Sequence, residues 1–376
     1  MSKDAVLIAG LGDLGGYVLE FLARVPNIPR IVTADYNEDW GARKTNSAII
    51  GAAQLGLYPK IEFIHVDAFD IDRTANVLQE IQPTVIFNAM ALLPWQSIYA
   101  LPEKAFKAID EAGFVAPWYP LHFVPIYKLM QAVKKSGIRT HVVNSAVPDI
   151  VNPALARIGL GPTVGSGNID TLQHVLRLVA AKMFAIPLRA VTLYLVAPVN
   201  FGYHVSRFGN DGGISYYFKI IIDHKDLTQT IDRKEFLANV LKIGRRPVGM
   251  QGYPISAASA CKIIMGILFD TKELCHAPGP DGLPGGYPVK LSANGVDISL
   301  PDDITIEEAM RINKEGQTLD GVESIEDNGS VVVTDKVTSI LKRLLDFDCK
   351  VYSIQDCETK AEELREKFGK WRSQFK

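Results

Sequence analysis

The sequence predicts an α/β protein built on a doubly wound parallel sheet, with a second α+β domain after it. Three observations carry this. Short, almost wholly apolar runs alternate with amphipathic stretches through the first 150 residues. A glycine-rich turn follows the first run directly, and an acidic residue ends the second. Apolar runs that do not alternate with polar residues suit strands covered on both faces, as in sheets made of βαβ units.

The elements follow in order. Residues 5–9 read as a strand and 15–25 as a helix. Strands are expected over 30–34, 61–66, 84–88 and 140–144, with helices over 72–82 and 124–136 between them. In the second half, 169–184 has helical periodicity and 189–196 is a strong strand. The Gly-, Asn- and Arg-bearing stretch 200–213 reads as a loop, and 256–268 as a helix. The cluster 279–286 is rich in Gly and Pro and marks a turn. Residues 287–291 and 296–300 form a hairpin around Asn294-Gly295, a pair that tolerates positive φ. Helices over 306–315, 335–345 and 358–375 close the chain, the last so charged that it is expected on the surface. The domains expected are 1–150, the doubly wound sheet, and 151–376, the α+β part with the C-terminal helices.

Composition narrows the function. The 376 residues include 40 basic and 42 acidic ones, and no dense Lys/Arg stripe suggests a nucleic-acid partner. No apolar run reaches the roughly 18 residues of a membrane span. The start leads straight into a strand and does not read as a signal peptide, so a cytoplasmic protein is expected. Cys261, Cys275, Cys349 and Cys357 form no CxxC pair and no disulfide framework. No H-x-x-H or carboxylate cluster suggests a metal.

Gly10-Leu-Gly12-Asp13-Leu14-Gly15 fits G-x-G-x-x-G and lies between a strand and a helix, the context in which this pattern marks a Rossmann-type site. Gly10 permits the tight turn, Gly12 lets backbone approach a pyrophosphate, and Gly15 lets helix pack on strand. The helix N-terminus then offers free N–H groups to the phosphates. Asp35 ends the second strand, where an acid accepts hydrogen bonds from the ribose hydroxyls. That favours NAD over NADP, whose 2′-phosphate would meet a carboxylate, although Arg43 and Lys44 follow closely.

Parts of the chain resemble two known families. Thr33-Ala-Asp-Tyr-Asn37, Val66-Asp67 with Asp70, and Pro83-Thr-Val-Ile-Phe-Asn-Ala89 resemble the cofactor domain of saccharopine dehydrogenase-like proteins. The resemblance implies Asp67 near the adenine and Asn88-Ala89 near the dinucleotide bridge. His141-Val-Val-Asn144-Ser-Ala-Val-Pro-Asp149, Gly165-Ser-Gly-Asn-Ile-Asp170-Thr and Gly286-Tyr-Pro-Val-Lys-Leu resemble the lactate/malate dehydrogenase superfamily. That resemblance implies an Asn144 touching both nicotinamide and substrate, an Asp170 that orients a catalytic histidine, and a homodimer or homotetramer.

The departures from that family are informative. Gln173 stands where the family places an arginine that clamps the substrate carboxylate, and residues 91–96 carry no arginine. Charge-assisted arginine pairs are the strong means of holding a carboxylate. A plain lactate or malate dehydrogenase is therefore not expected. The catalytic histidine is displaced: His204 is the candidate acid/base, with Asp170 as its orienter. Arg207 is a candidate replacement for the missing clamp, and Trp95 a candidate apolar wall against the substrate. The resulting expectation is an NAD-dependent oxidoreductase acting on a C–OH or C–N bond of a small molecule. Its alternatives are a saccharopine- or opine-type amine dehydrogenase and a non-catalytic NAD-binding sensor or assembly protein.

Overall fold

The computed structural model describes residues 4–113, 115–247 and 249–375. The first half runs β1 (Val6–Ala9), α1 (Asp13–Leu22), β2 (Ile31–Asp35), α2 (Glu38–Gln54), β3 (Ile61–His65), α3 (Ile71–Ile81) and β4 (Val85–Asn88). It continues with α4 (Gln96–Tyr99), α5 (Glu103–Asp110), α6 (Tyr119–Ser136), β5 (His141–Asn144), α7 (Pro148–Arg157) and β6 (Val164–Gly165). These strands form one parallel sheet in the order β3-β2-β1-β4-β5-β6. The order reverses between β1 and β4, so the crevice outside the strands' carboxyl ends opens there.

Alternation along β1 explains why the sheet is covered on both sides. Val6 and Ile8 enter one core with Val18, Leu19 and Leu22 of α1. Leu7 and Ala9 enter the other, with Leu78 of α3 and Leu129 of α6. Side chains on a strand alternate faces, so a run apolar at every position is buried twice.

The second half holds α8 (Ile169–Met183), β7 (Val191–Val196), α9 (Val199–Phe208), β8 (Tyr217–Ile222), β9 (Lys225–Asp226), α10 (Arg233–Ala238) and α11 (Tyr253–Leu268). Then come β10 (Leu274–Pro278), β11 (Gly286–Ser292), β12 (Gly295–Ile298) and α12 (Ile306–Leu319). The chain ends with β13 (Val322–Ile325), β14 (Val331–Val333), α13 (Asp335–Leu345), β15 (Val351–Tyr352) and α14 (Cys357–Ser373). Three small antiparallel sheets, β7-β8-β9, β10-β11-β12 and β13-β14-β15, complete the α/β architecture. The hairpin at Asn294-Gly295 forms as expected, with Ser292 paired to Gly295.

Several sequence expectations need correction. The stretch 200–213 is not all loop, because α9 runs through it to Phe208. Val199, Phe201 and Val205 give the helix a buried face that its glycines obscure in the sequence. The C-terminal helix is charged but not merely superficial. Cys357, Ala361, Leu364 and Phe368, at helical spacing, are buried. Phe368 packs edge-on against Trp118 at 5.1 Å, and Lys128 of α6 pairs with Glu358 at 2.7 Å. Elements β13 to α14 share a core with α3, α6 and α7. All four cysteines are buried free thiols. Among the described residues no helix is long and apolar enough to cross a membrane, and no group of three or more His, Cys, Asp or Glu could hold a metal ion.

Candidate functional site

The glycine turn is shaped by two steric facts. Gly10 has φ +90°, and a Cβ there would press on the backbone of Met90 at 3.0 Å. A Cβ on Gly15 would overlap the Gly10 carbonyl oxygen and lie 3.0 Å from its carbonyl carbon. Only glycine lets α1 start this close to the end of β1. Gly12 is different: it is exposed, and a Cβ there would meet nothing within 4 Å. The protein itself does not require glycine at Gly12.

Leu11, between these glycines, is held at both backbone poles. Its N–H donates to Asp35 Oδ2 at 2.7 Å, and its carbonyl accepts from Trp40 Nε1 at 2.9 Å. The other Asp35 oxygen accepts from Asn37 N–H at 2.9 Å. Asp35 thus rigidifies the turn and still has lone pairs for further donors. No side chain caps α1, whose N-cap is Gly12, so its first N–H groups lack a side-chain acceptor. An uncapped, glycine-flanked helix start is the chemistry that suits a pyrophosphate. Asp13 and Leu14 are half-buried in this first turn. Arg43 is paired with Asp39 at 2.9 Å, and Lys44 lies 4.9 Å over the Trp40 ring.

At the ends of β4 and β5 the structure brings Asn88 and Asn144 together. Asn88 Nδ2 donates to Asn144 Oδ1 at 2.9 Å, and Asn144 Nδ2 donates to Asn152 Oδ1 at 2.9 Å. Asn152 in turn donates to the Gly279 carbonyl. Both Asn88 and Asn144 are fully buried. Asn144 is therefore a brace between two strands and α7, and its amide does not face an open cleft as the family resemblance implies. Ala89 is half-buried beside the turn, its Cβ near the position a Gly15 Cβ would take. Asp67 is exposed and caps its own turn, accepting from Phe69 N–H at 3.0 Å.

The candidate catalytic pair does not assemble. Asp170, at the start of α8, is bonded to Lys262 of α11 and lies 3.7 Å from His174. His204 instead sits against Asn210 Oδ1 at 2.8 Å, on the helical face that packs near Phe208 and Gly212. The reason is α9: helical winding turns His204 toward its own C-terminal loop, while Lys262 reaches Asp170 first. Arg207 is likewise engaged. It pairs with Asp110 at 3.1 Å and stacks over Tyr203 and Phe106, and Tyr203 OH donates to the same Asp110 oxygen at 2.6 Å. This ties α9 to the segment that follows β4. In that segment Trp95 stacks on His122 with ring centroids 5.0 Å apart. Burial pushes the His122 imidazole down to about 4, so it is neutral near pH 7. Gln173 is buried, and its Oε1 has no hydrogen-bond partner.

Sequence reasoning missed Tyr253, Asp149 and Asp320. Tyr253 opens α11; burial pushes its phenol up to about 12, with Asp13 of the glycine turn and Tyr99 of α4 adding to the rise. Asp149 follows β5 and Asp320 caps α12, and both are buried. A buried acid with no basic residue nearby in sequence gives no signal to a reader of the chain.

No known family model matches the sequence, and no curated protein matches it. Solved structures do. The lactate dehydrogenase of Cryptosporidium parvum, solved with lactic acid and nicotinamide adenine dinucleotide, superimposes with a TM-score of 0.56 at 16% identity, covering 85% of this chain and 98% of that one. The malate dehydrogenase of the same organism gives 0.59 at 14% identity, with 85% and 98% covered. That of Plasmodium falciparum, solved with NADH, gives 0.53 at 12% identity, with 96% and 99% covered. At these identities the likeness establishes a shared fold.

Proposed function

We propose that this chain is a NAD-dependent oxidoreductase that transfers hydride from a C–OH or C–N bond of a small molecule. The observation that carries the reading is the glycine turn, where Gly12 is open to solvent, Leu11 is fixed by Asp35, and α1 starts uncapped. Structures sharing the fold and solved with NAD or NADH support it.

The dinucleotide supplies the hydride acceptor when bound. The chain's own residues do the rest. The α1 N–H groups and Gly12 hold the pyrophosphate. Asp35 accepts from ribose hydroxyls and disfavours a 2′-phosphate, which supports NAD over NADP. His204 is the residue offered for moving the substrate proton, from α9. Gln173, with an unpartnered Oε1, replaces a cationic clamp by an amide. Together with Asp110's hold on Arg207, that supports a substrate that is less acidic than lactate or malate. Trp95 supplies an apolar wall.

A second reading, a dinucleotide-binding sensor without turnover, is supported by one observation: Asp170 is taken by Lys262 and is not paired with His204. The two readings divide on a substrate panel. Hydroxy and amino acids and alcohols are offered with NAD, and absorbance at the reduced cofactor's band is followed. Turnover with at least one, lost in His204→Ala, is expected for the enzyme. NAD binding with no reduction by any of them supports the sensor.

A further inference from the structure

Asp149 and Asp320 form a buried acid pair that no described cation compensates. Asp149 lies in the first turn of α7, five residues after the end of β5, and is 3% exposed. Asp320 is 2% exposed and caps α12. Each has an Oδ1 without a hydrogen-bond partner. The second Asp149 oxygen accepts from Asn168 Nδ2, and its backbone carbonyl accepts from Gln317 at 3.2 Å. Asn200 of α9 donates to the Leu319 carbonyl beside Asp320 at 3.2 Å. Two further fully buried groups, Tyr287 OH on β11 and Asn313 Oδ1 on α12, face one another beside this pair with no well-formed hydrogen bond.

Among the described residues the titratable groups that act on or are acted on by Asp149 are Asp320 and Tyr287, neither of them a base. Burial raises the Asp149 carboxyl to about 6, against the opposing hydrogen bond from Asn168. Burial and then the Asp149 charge hold Asp320 well above the ordinary carboxyl range. Two uncompensated carboxylates do not readily ionise together in a low-dielectric interior, so the pair favours keeping a proton.

The backbone around the pair is strained. Val147, a β-branched residue, has φ +48°, and Asn168 has φ +47° with ψ −111°. Strain of this kind persists only where surrounding structure enforces it, and it clusters at functional sites. Sheet topology says what lies nearby. A dinucleotide whose ribose meets Asp35 beyond β2 and whose pyrophosphate meets α1 beyond β1 extends toward the ends of β4 and β5. Asp149 follows β5, and Asn168, half-buried, follows β6.

We propose that the Asp149–Asp320 pair, with Asn168 at its outer edge, is a one-proton electrostatic site for the positively charged ring of oxidised nicotinamide. The assignment rests on the dinucleotide reading above and deepens it. Asp149 acts through charge and Asn168 through position; neither needs to touch the reacting carbon. A cation beside the pair favours ionised Asp149, so binding of the oxidised dinucleotide expels a proton. The reduced form has a neutral ring and does not.

The test is calorimetric titration of the full chain with NAD and, separately, NADH, from pH 5.5 to 8 in two buffers of different ionisation enthalpy. Contributions common to both dinucleotides cancel in the ratio of their Kd values. The NAD Kd is expected to tighten relative to the NADH Kd by about threefold across this range, the part above pH 5.5 of the effect that follows when the bound cation makes a carboxyl titrating at about 6 about ten times more acidic. Proton release is expected with NAD alone. Asp149→Asn removes the difference and keeps NADH binding. Asn168→Gly, which suits the positive φ and removes the amide donor, moves the window to higher pH. A ratio that stays flat with pH in the wild type while both dinucleotides bind overturns the assignment, as does a slope that survives Asp149→Asn. Binding of neither dinucleotide overturns the dinucleotide reading, and this one with it.

Discussion

Gly15 packs against the carbonyl of Gly10 so closely that no side chain fits between α1 and the end of β1. A Cβ on Gly12, three residues earlier, would meet nothing within 4 Å. The two glycines therefore answer different questions. Gly15→Ala forces backbone to shift and should lower stability by about 2 kcal/mol, on the scale of overpacked sites. Gly12→Ala should leave Tm within about 2 °C, since a small exposed change of under ~0.5 kcal/mol is the norm for surface positions. It should still weaken NAD at least tenfold by filling the path of the pyrophosphate. Thermal melts and titrations of both variants check this.

Asp35→Ala tests the turn's other anchor. It strips Leu11 N–H of its acceptor, and an unpaired buried donor costs about 1–3 kcal/mol. It also removes the carboxylate that opposes a 2′-phosphate. NAD affinity should fall and the NAD/NADP ratio of Kd values should narrow at least tenfold. An unchanged ratio would place the ribose elsewhere.

Burial of Asp149 makes stability depend on pH in a defined direction. Its carboxyl is raised from 3.8 to about 6. A raised acid contributes stability below its unfolded value, and that contribution is lost as pH rises through the folded one. Between pH 4 and 8 the loss is about 3 kcal/mol, because each pH unit separating the unfolded from the folded value contributes about 1.4 kcal/mol. Asp149→Asn should remove that part of the slope, so its Tm advantage over the wild type grows with pH. Denaturant melts at four pH values measure it.

Arg207 is predicted to matter for the fold and not for the cofactor. Its guanidinium joins α9 to α5 through Asp110 and stacks on Tyr203. The pair is partly exposed, so Arg207→Ala should cost only about 1 kcal/mol and leave the NAD Kd within twofold. A large change in NAD affinity with unchanged Tm would instead put Arg207 at the ligand.

How much of this was legible in the chain depended on whether the information was local. The strand–glycine turn–helix and the Asn294-Gly295 hairpin are spelled out within a dozen residues, and both stand. Helix α9 was hidden because Asn200, Gly202 and Gly209 imitate a loop while Val199, Phe201 and Val205 alone mark its buried face. Strands β13 to β15, of two to four residues, are too short to show a period. The site was harder still. Asp170 meets Lys262 across 92 residues, and Asp149 meets the end of α12 across more than that. Such pairings are decided by how helices cross, which spacing in the sequence does not record. The saccharopine-type resemblance rests on residues 33–37, 66–70 and 83–89 alone.

The central claim is that Gly12 and the uncapped start of α1 bind a dinucleotide pyrophosphate. The most direct measurement is calorimetric titration of the wild-type chain and Gly12→Ala with NAD under one set of conditions. The account predicts saturable one-to-one binding by the wild type, weakened at least tenfold in a variant with the same Tm. No binding by the folded wild type, or equal affinity in both proteins, would contradict it.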